Sequence, residues 1–203
     1  MKTLKITISF LLVLIFLMAQ ITYSKPEKKN KKTALLLIDI QNFYFPGGRL
    51  PLENPEKASL NSQKILESFR ERGKLIVHIK HNAKSEAEIH KNVAPLKEEK
   101  IISKDYANSF KDTGLLEYLR SHKINHLVIC GMMTHMCVEA ATRAANDLDF
   151  DVILIGDACA TRDLKYGDRV IKAMDVHCST LSSLDGYYAK VLSTEEYLKS
   201  LEK

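Results

Sequence analysis

The sequence predicts an α/β domain in which a parallel sheet is covered by helices on both faces. Three observations lead there. Short apolar runs alternate with segments of helical period from Thr33 onward. The runs are almost wholly apolar instead of alternating, as strands buried on both faces must be. The span 33–203 is the size of one domain and long enough for a full core, with no internal repeat or low-complexity segment.

Strands are expected at 33–40 (TALLLIDI), 74–79 (KLIVHI), 126–131 (HLVICG), 151–155 (DVILI) and 189–192, and the pair Ile101-Ile102 marks a short strand running into Lys104. The segments 55–72, 114–122, 135–148 and 164–177 carry apolar residues three and four apart, which predicts helices, and a last helix is expected at 195–201. In such sheets ligands bind beyond the carboxyl ends of the strands, near the reversal in strand order. The residues that follow each strand are therefore where chemistry is sought.

The first 24 residues read as a secretory signal peptide. Lys2 and Lys5 open it, 6–19 is almost unbroken apolar sequence, and Thr22 and Ser24 offer small residues for cleavage. The apolar run is short for a bilayer span, and an uncleaved N-terminal anchor is the alternative reading, since Thr-x-Ser is a less than ideal cleavage site. The protein is thus expected to be exported, to a periplasm or the medium. Residues 25–32 hold nothing apolar to bury and read as a solvated basic linker. Residues 1–32 contain seven Lys and one Glu of the chain's 30 basic and 25 acidic residues, leaving 23 and 24 for the rest. The net charge of +5 therefore sits in the leader and linker, and nucleic-acid binding has no electrostatic support. No membrane partner is implied beyond the targeting segment.

Three positions carry candidate chemistry. Asp39 ends the first apolar run in Leu-Ile-Asp39-Ile-Gln-Asn-Phe; it is either a turn cap or an acid/base group, and burial there demands a partner. Lys104 follows a short strand and taken alone is an ordinary solvated lysine. Cys137 falls at the head of a helix directly after a strand, where unpaired N–H groups and the helix dipole favour a thiolate; a packing cysteine is the alternative. His135, Cys137, Cys130 and His126 fit none of the strong zinc spacings. Cys130 and Cys159 lie within or at the end of apolar runs, and a domain this large does not need disulfide staples.

Taken together, these segments resemble the isochorismatase-like cysteine hydrolases, whose relatives include nicotinamidases, N-carbamoylsarcosine amidases and isochorismatases. The resemblance spans nearly all of 33–203. It rests on the Asp39 segment, on Lys104 followed by Asn108-Ser-Phe110, and on Cys130-Gly-Met-Met-Thr-His-Met-Cys137-Val; the segments 157–161 and 189–194 also fit. It implies a Rossmann-like three-layer α/β/α sandwich with about six parallel strands. It implies an Asp39–Lys104–Cys137 triad, with Cys137 attacking a carbonyl, Asp39 shuttling the proton and Lys104 stabilising the thiolate. It further implies an oxyanion hole from the backbone N–H groups of Met133 and Cys137, beside a cis Met132–Met133 peptide.

The resemblance thus points to hydrolysis of a small amide or ureido compound through a thioester. An isochorismatase-type vinyl ether hydrolase and a non-catalytic redox-sensing or binding module are the competing readings. Nicotinamidases carry an Asp-x-His motif for a metal. Here the segment after Ile79 reads Lys80-His-Asn-Ala-Lys, so neither a catalytic metal nor another cofactor is expected. Phe43, Phe45, Asn108, Phe110, Met133 and His135 are candidate substrate-lining residues by their positions beside the triad. Relatives often assemble, so a homo-oligomer is expected.

Overall fold

The computed structural model describes residues 31–202. The signal-peptide reading and most of the basic linker lie outside these residues. The main sheet contains β1 (Thr33–Ile38), β2 (Leu75–His81), β3 (Lys100–Lys104), β4 (His126–Met132), β5 (Asp151–Ala160) and β8 (Lys190–Leu192). All pairings are parallel, and the order is β3-β2-β1-β4-β5-β8. The six-stranded doubly covered sheet expected from the sequence is therefore present. Its order reverses at β1, which lies between β2 and β4 and opens a crevice at their carboxyl ends.

Alternate residues of β1 supply both faces, which is why its sequence shows no polar phase. Ala34, Leu36 and Ile38 enter one core, while Leu35 and Leu37 enter the other. The first core is covered by α2 (Leu115–Ser121), α3 (Glu139–Asp147) and α4 (Ala173–Leu184), through residues such as Leu119, Ala141 and Leu184. The second is covered by α1 (Pro55–Glu71) and α5 (Thr194–Ser200), through Ile65, Leu66, Phe69 and Tyr197. Pro55 opens α1, where its missing N–H is harmless. A capping box between Ser193 and Glu196 opens α5.

The expected helix over 164–177 is corrected by the structure. Residues Leu164–Tyr166 (β6) and Arg169–Ile171 (β7) form an antiparallel hairpin, and α4 starts only at Ala173. The reason is the two-residue turn Gly167-Asp168, with Gly167 in the left-handed region at φ 56°. Asp163 then accepts the Ala173 N–H at 2.8 Å and the Lys172 ammonium at 2.8 Å, which fixes where the new helix begins. The helical spacing of apolar residues in this segment was incidental: Tyr166, Val170 and Ile171 are exposed in the hairpin.

Gly131 is required by the close approach of β4 to β1. Its φ is 142°, and a Cβ there would lie 2.0 Å from the Ile38 carbonyl oxygen. This contact brings the ends of the two central strands together at the crevice.

Away from the crevice, Glu99 ties the segment before β3 to α1. Its carboxylate accepts two bonds from Arg70 (2.7 and 2.9 Å), the Leu96 N–H (2.9 Å) and a contact with His78 Nε2 (2.8 Å). Burial pushes the Glu99 carboxyl up, but the Arg70, Leu96 and His78 bonds outweigh it and hold it down at about 2. A carboxyl depressed on folding contributes stability that is present above its ordinary value near 4.5 and is lost as the pH falls towards 2. Glu99→Gln should therefore lower the unfolding free energy by about 2 kcal/mol at neutral pH in urea titrations. The gap to the wild type should shrink as the pH falls below 4.5.

Candidate active site

Asp39 follows β1 directly and adopts a left-handed backbone at φ 51°, unusual for a residue with a side chain. Its N–H still donates to the Ile79 carbonyl at 3.0 Å, so the parallel pairing with β2 holds while the side chain turns into the crevice. The carboxylate is fully buried. Strain of this kind persists only where surrounding contacts over-determine the position.

Lys104 is the last residue of β3, and its side chain is also fully buried. The ammonium donates to Asp39 Oδ2 at 2.7 Å, to the Tyr106 carbonyl at 3.1 Å and to His81 Nδ1 at 3.2 Å. The lysine is thus far from the solvated residue its sequence context alone suggested. Breaking one side of such a buried pair strands the other charge, at a cost of about 3–5 kcal/mol.

Cys137 lies in a π-helical turn, Thr134–Val138, between β4 and α3. The Met133 carbonyl accepts both the Met136 N–H at 3.0 Å and the Val138 N–H at 3.3 Å, and the second bond is what widens the turn. The Met132–Met133 peptide is cis. Cys137 is only 5% exposed. A carboxylate oxygen of Asp39, a ring nitrogen of His81 and the Cys137 sulfur lie within 4.8 Å of one another. A metal ion could bridge atoms so spaced, but the Lys104 ammonium already donates to Asp39 and His81 and supplies positive charge at the same place.

The electrostatics differ from the thiolate expected of a helix head. Burial, reinforced by the Asp39 charge, pushes the Cys137 thiol up to about 12, and the Lys104 charge only partly offsets this. The thiol is therefore neutral at rest. Burial also raises the Asp39 carboxyl above its ordinary value, against the pull of Lys104. Asp39 Oδ2 is held by the ammonium, Oδ1 is buried outside that bond, and the carboxylate interacts with the Cys137 side chain. The arrangement provides one anchored carboxylate oxygen, one carboxylate oxygen outside the ion pair and a protonated thiol nearby.

The candidate lining residues have local partners. Phe43 is buried with its ring edge-on to Tyr44 at 4.3 Å and under the Arg49 guanidinium at 4.7 Å. Asn108 accepts the Phe110 N–H at 2.9 Å, closing the turn after β3. Phe110 packs on Phe150 at 6.1 Å, in the core under α2 and α3. His135 Nδ1 is hydrogen-bonded to Thr161 Oγ1 at 2.5 Å, tying the π turn to the end of β5. Phe45 stacks on His90 at 3.6 Å.

Sequence reasoning passed over two residues. His81 was weighed only for metal spacing, and Gln41 had no assigned role. His81 lies directly across the β2–β3 ladder from Lys104. Gln41 is fully buried and brackets His81 with its amide, accepting the His81 N–H at 2.8 Å and donating to the His81 carbonyl at 3.0 Å. The available signal was a polar Lys80-His81-Asn82 step closing a run otherwise buried on both faces.

The chain is similar to known proteins over almost the whole described domain. The family model for the isochorismatase domain matches residues 33–195. The isochorismatase family protein YddQ of Bacillus subtilis (strain 168) is 41% identical over 178 residues, covering 82% of this chain and 99% of the relative. The secreted isochorismatase effector Isc1 of Verticillium dahliae is 31% identical over 145 residues, covering 66% and 76%. The maleamate amidohydrolase of Pseudomonas putida is 26% identical over 197 residues, covering 85% and 88%. A crystal structure of an isochorismatase-family protein from Oleispira antarctica superposes with a TM-score of 0.81 at 39% identity, covering 85% of this chain and 99% of that one. With the matched domain spanning the whole sheet and a relative aligned almost end to end, this chain belongs to the isochorismatase family of hydrolases.

Proposed function

We propose that the protein hydrolyses a small amide or ureido compound, with Cys137 as nucleophile, Asp39 as proton shuttle and Lys104 as the fixed cation. The observation that carries this reading is the unequal treatment of the two Asp39 oxygens. Oδ2 is tied to the ammonium at 2.7 Å, whereas the buried Oδ1 lies outside that bond, and the carboxylate interacts with the Cys137 thiol. A buried carboxylate with one oxygen outside the ion pair and a thiol at hand is placed to accept the thiol proton. The name of the maleamate amidohydrolase also favours a C–N bond over a vinyl ether.

In the proposed sequence Asp39 Oδ1 takes the thiol proton as the sulfur attacks the carbonyl carbon. The carbonyl oxygen becomes an oxyanion held by the backbone N–H groups of Met133 and Cys137. Collapse of this intermediate breaks the C–N bond, and Asp39 returns the proton to the leaving nitrogen. A thioester remains on Cys137. Water, deprotonated by Asp39, then attacks the thioester; the acid leaves and the thiol regains its proton. A raised carboxyl suits Asp39 to both directions of transfer, because efficiency is greatest when a group's pKa approaches the working pH. We place this activity outside the cytoplasm, on the strength of the leader-like residues 1–24, and in a homo-oligomer.

Intact-protein mass spectrometry with a panel of small amides and carbamoyl compounds should reveal an acyl adduct on Cys137 that Cys137→Ala abolishes without altering the melting temperature. Retention of most turnover in Cys137→Ala would sink the mechanism. Asp39→Asn should lower turnover by roughly 10²- to 10⁴-fold, with the loss far from additive to that of Cys137→Ala.

The pH profile follows from the two shifts. Asp39 must be ionised to accept the proton, and its carboxyl is raised, so kcat/KM should fall on acidification at a pH above the ordinary carboxyl value of 3.8. The thiol stays protonated up to about 12, so iodoacetamide should alkylate the free enzyme slowly at neutral pH and faster as the pH rises. Rapid alkylation at pH 6 would contradict a neutral resting thiol.

A further inference from the structure

A lysine ammonium has three N–H donors and can accept nothing. Around Lys104 there are three acceptors: Asp39 Oδ2 at 2.7 Å, the Tyr106 carbonyl at 3.1 Å and His81 Nδ1 at 3.2 Å. Two consequences follow. His81 Nδ1 must be the unprotonated nitrogen, so the ring is neutral with its proton on Nε2. The three acceptors fix the direction of the ammonium, and Lys104 acts on the Cys137 sulfur from that position, as a neighbouring charge and a side-chain partner.

The ring that supplies the third acceptor is itself held from the backbone. The buried Gln41 amide accepts the His81 N–H at 2.8 Å, donates to the His81 carbonyl at 3.0 Å and donates to the Ala87 carbonyl at 2.6 Å. Gln41 stands two residues after Asp39. The end of β1 thus reaches the ammonium twice, directly through Asp39 and indirectly through Gln41 and His81.

We propose that Gln41 and His81 form a positioning unit that holds the Lys104 ammonium, and through it the second oxygen of Asp39, in line with the Cys137 thiol. Without the His81 acceptor the ammonium loses one of the three partners that fix its place in a fully buried site, and it shifts. The carboxylate follows it, and the thiol loses part of the charge that favours its ionised form. This inference rests on the amide-hydrolase reading for its kinetic consequence only.

The test compares two variants of the full chain. His81→Leu keeps the bulk and removes the acceptor; His81→Asn puts an amide oxygen where the ring carries Nδ1. The first readout needs no substrate: the alkylation rate of Cys137 by iodoacetamide at one fixed alkaline pH, followed on the Cys137 peptide. His81→Leu should slow it about tenfold, the equivalent of one pKa unit on the thiol. His81→Asn should restore most of the rate. With a turned-over amide, the same pattern should appear in kcat with KM little changed. A wild-type alkylation rate in His81→Leu, or a rate in His81→Asn as slow as in His81→Leu, would overturn the proposal. Nitrogen NMR of the wild type supplies a check independent of variant folding: an unprotonated Nδ1 on His81 is required, and a proton there would overturn the inference. If no amide is turned over by the wild type, the amide-hydrolase reading fails while the alkylation and NMR results still decide the role of His81.

Discussion

The buried ion pair between Lys104 and Asp39 is the constraint on which the rest of the crevice depends. Two full charges removed from water lose several kcal/mol of solvation each, and only close geometry with every remaining donor satisfied offsets that loss. The sheet order makes this a bridging problem. Lys104 ends β3 and Asp39 follows β1, with β2 between them. Neighbouring strands lie about 4.8 Å apart, so the pair must span roughly twice that distance across the end of β2. A long flexible side chain can do so, and what it crosses is His81. The third partner of the ammonium is thus a consequence of topology: the residue at the end of the intervening strand is the one placed to meet it.

The same pair governs the state of the cysteine. A helix head usually favours a thiolate, and the position of Cys137 invites that expectation. Here the sulfur is almost completely enclosed and faces a carboxylate, so burial and like charge outweigh the pull of Lys104. The proton belongs to the Asp39–Cys137 pair, and chemistry must begin with its transfer. The left-handed backbone of Asp39 and the widened turn at Cys137 are the local distortions that bring the two groups together at the reversal in strand order. The close approach at Gly131 keeps the strands that carry them in contact.

Much of the architecture was legible in the chain because the signals are local and strong. Runs such as 33–40 and 126–131 are apolar in both phases, which only a strand covered on both faces requires, and the helices between them carry the three-and-four spacing. The hairpin at 164–171 was misread because apolar spacing does not distinguish a helix face from exposed strand residues; the Gly167-Asp168 turn overrode it. Asp39 and Cys137 drew notice by following strands, but Lys104 alone read as a solvated lysine, and the family resemblance joined the three.

What the sequence by itself determined was the set of strand-end residues and the covered parallel sheet, since both follow from short-range pattern and composition. Tertiary structure alone decided how those residues interact. Lys104 looked like a surface lysine because nothing within a few residues of it signals burial; its partners lie 65 and 23 positions away. Gln41 and His81 gained meaning only once β1 and β2 were paired in register. The protonation of Cys137 likewise depends on desolvation and on a carboxylate from another strand, and neither quantity is written in the residues that flank it.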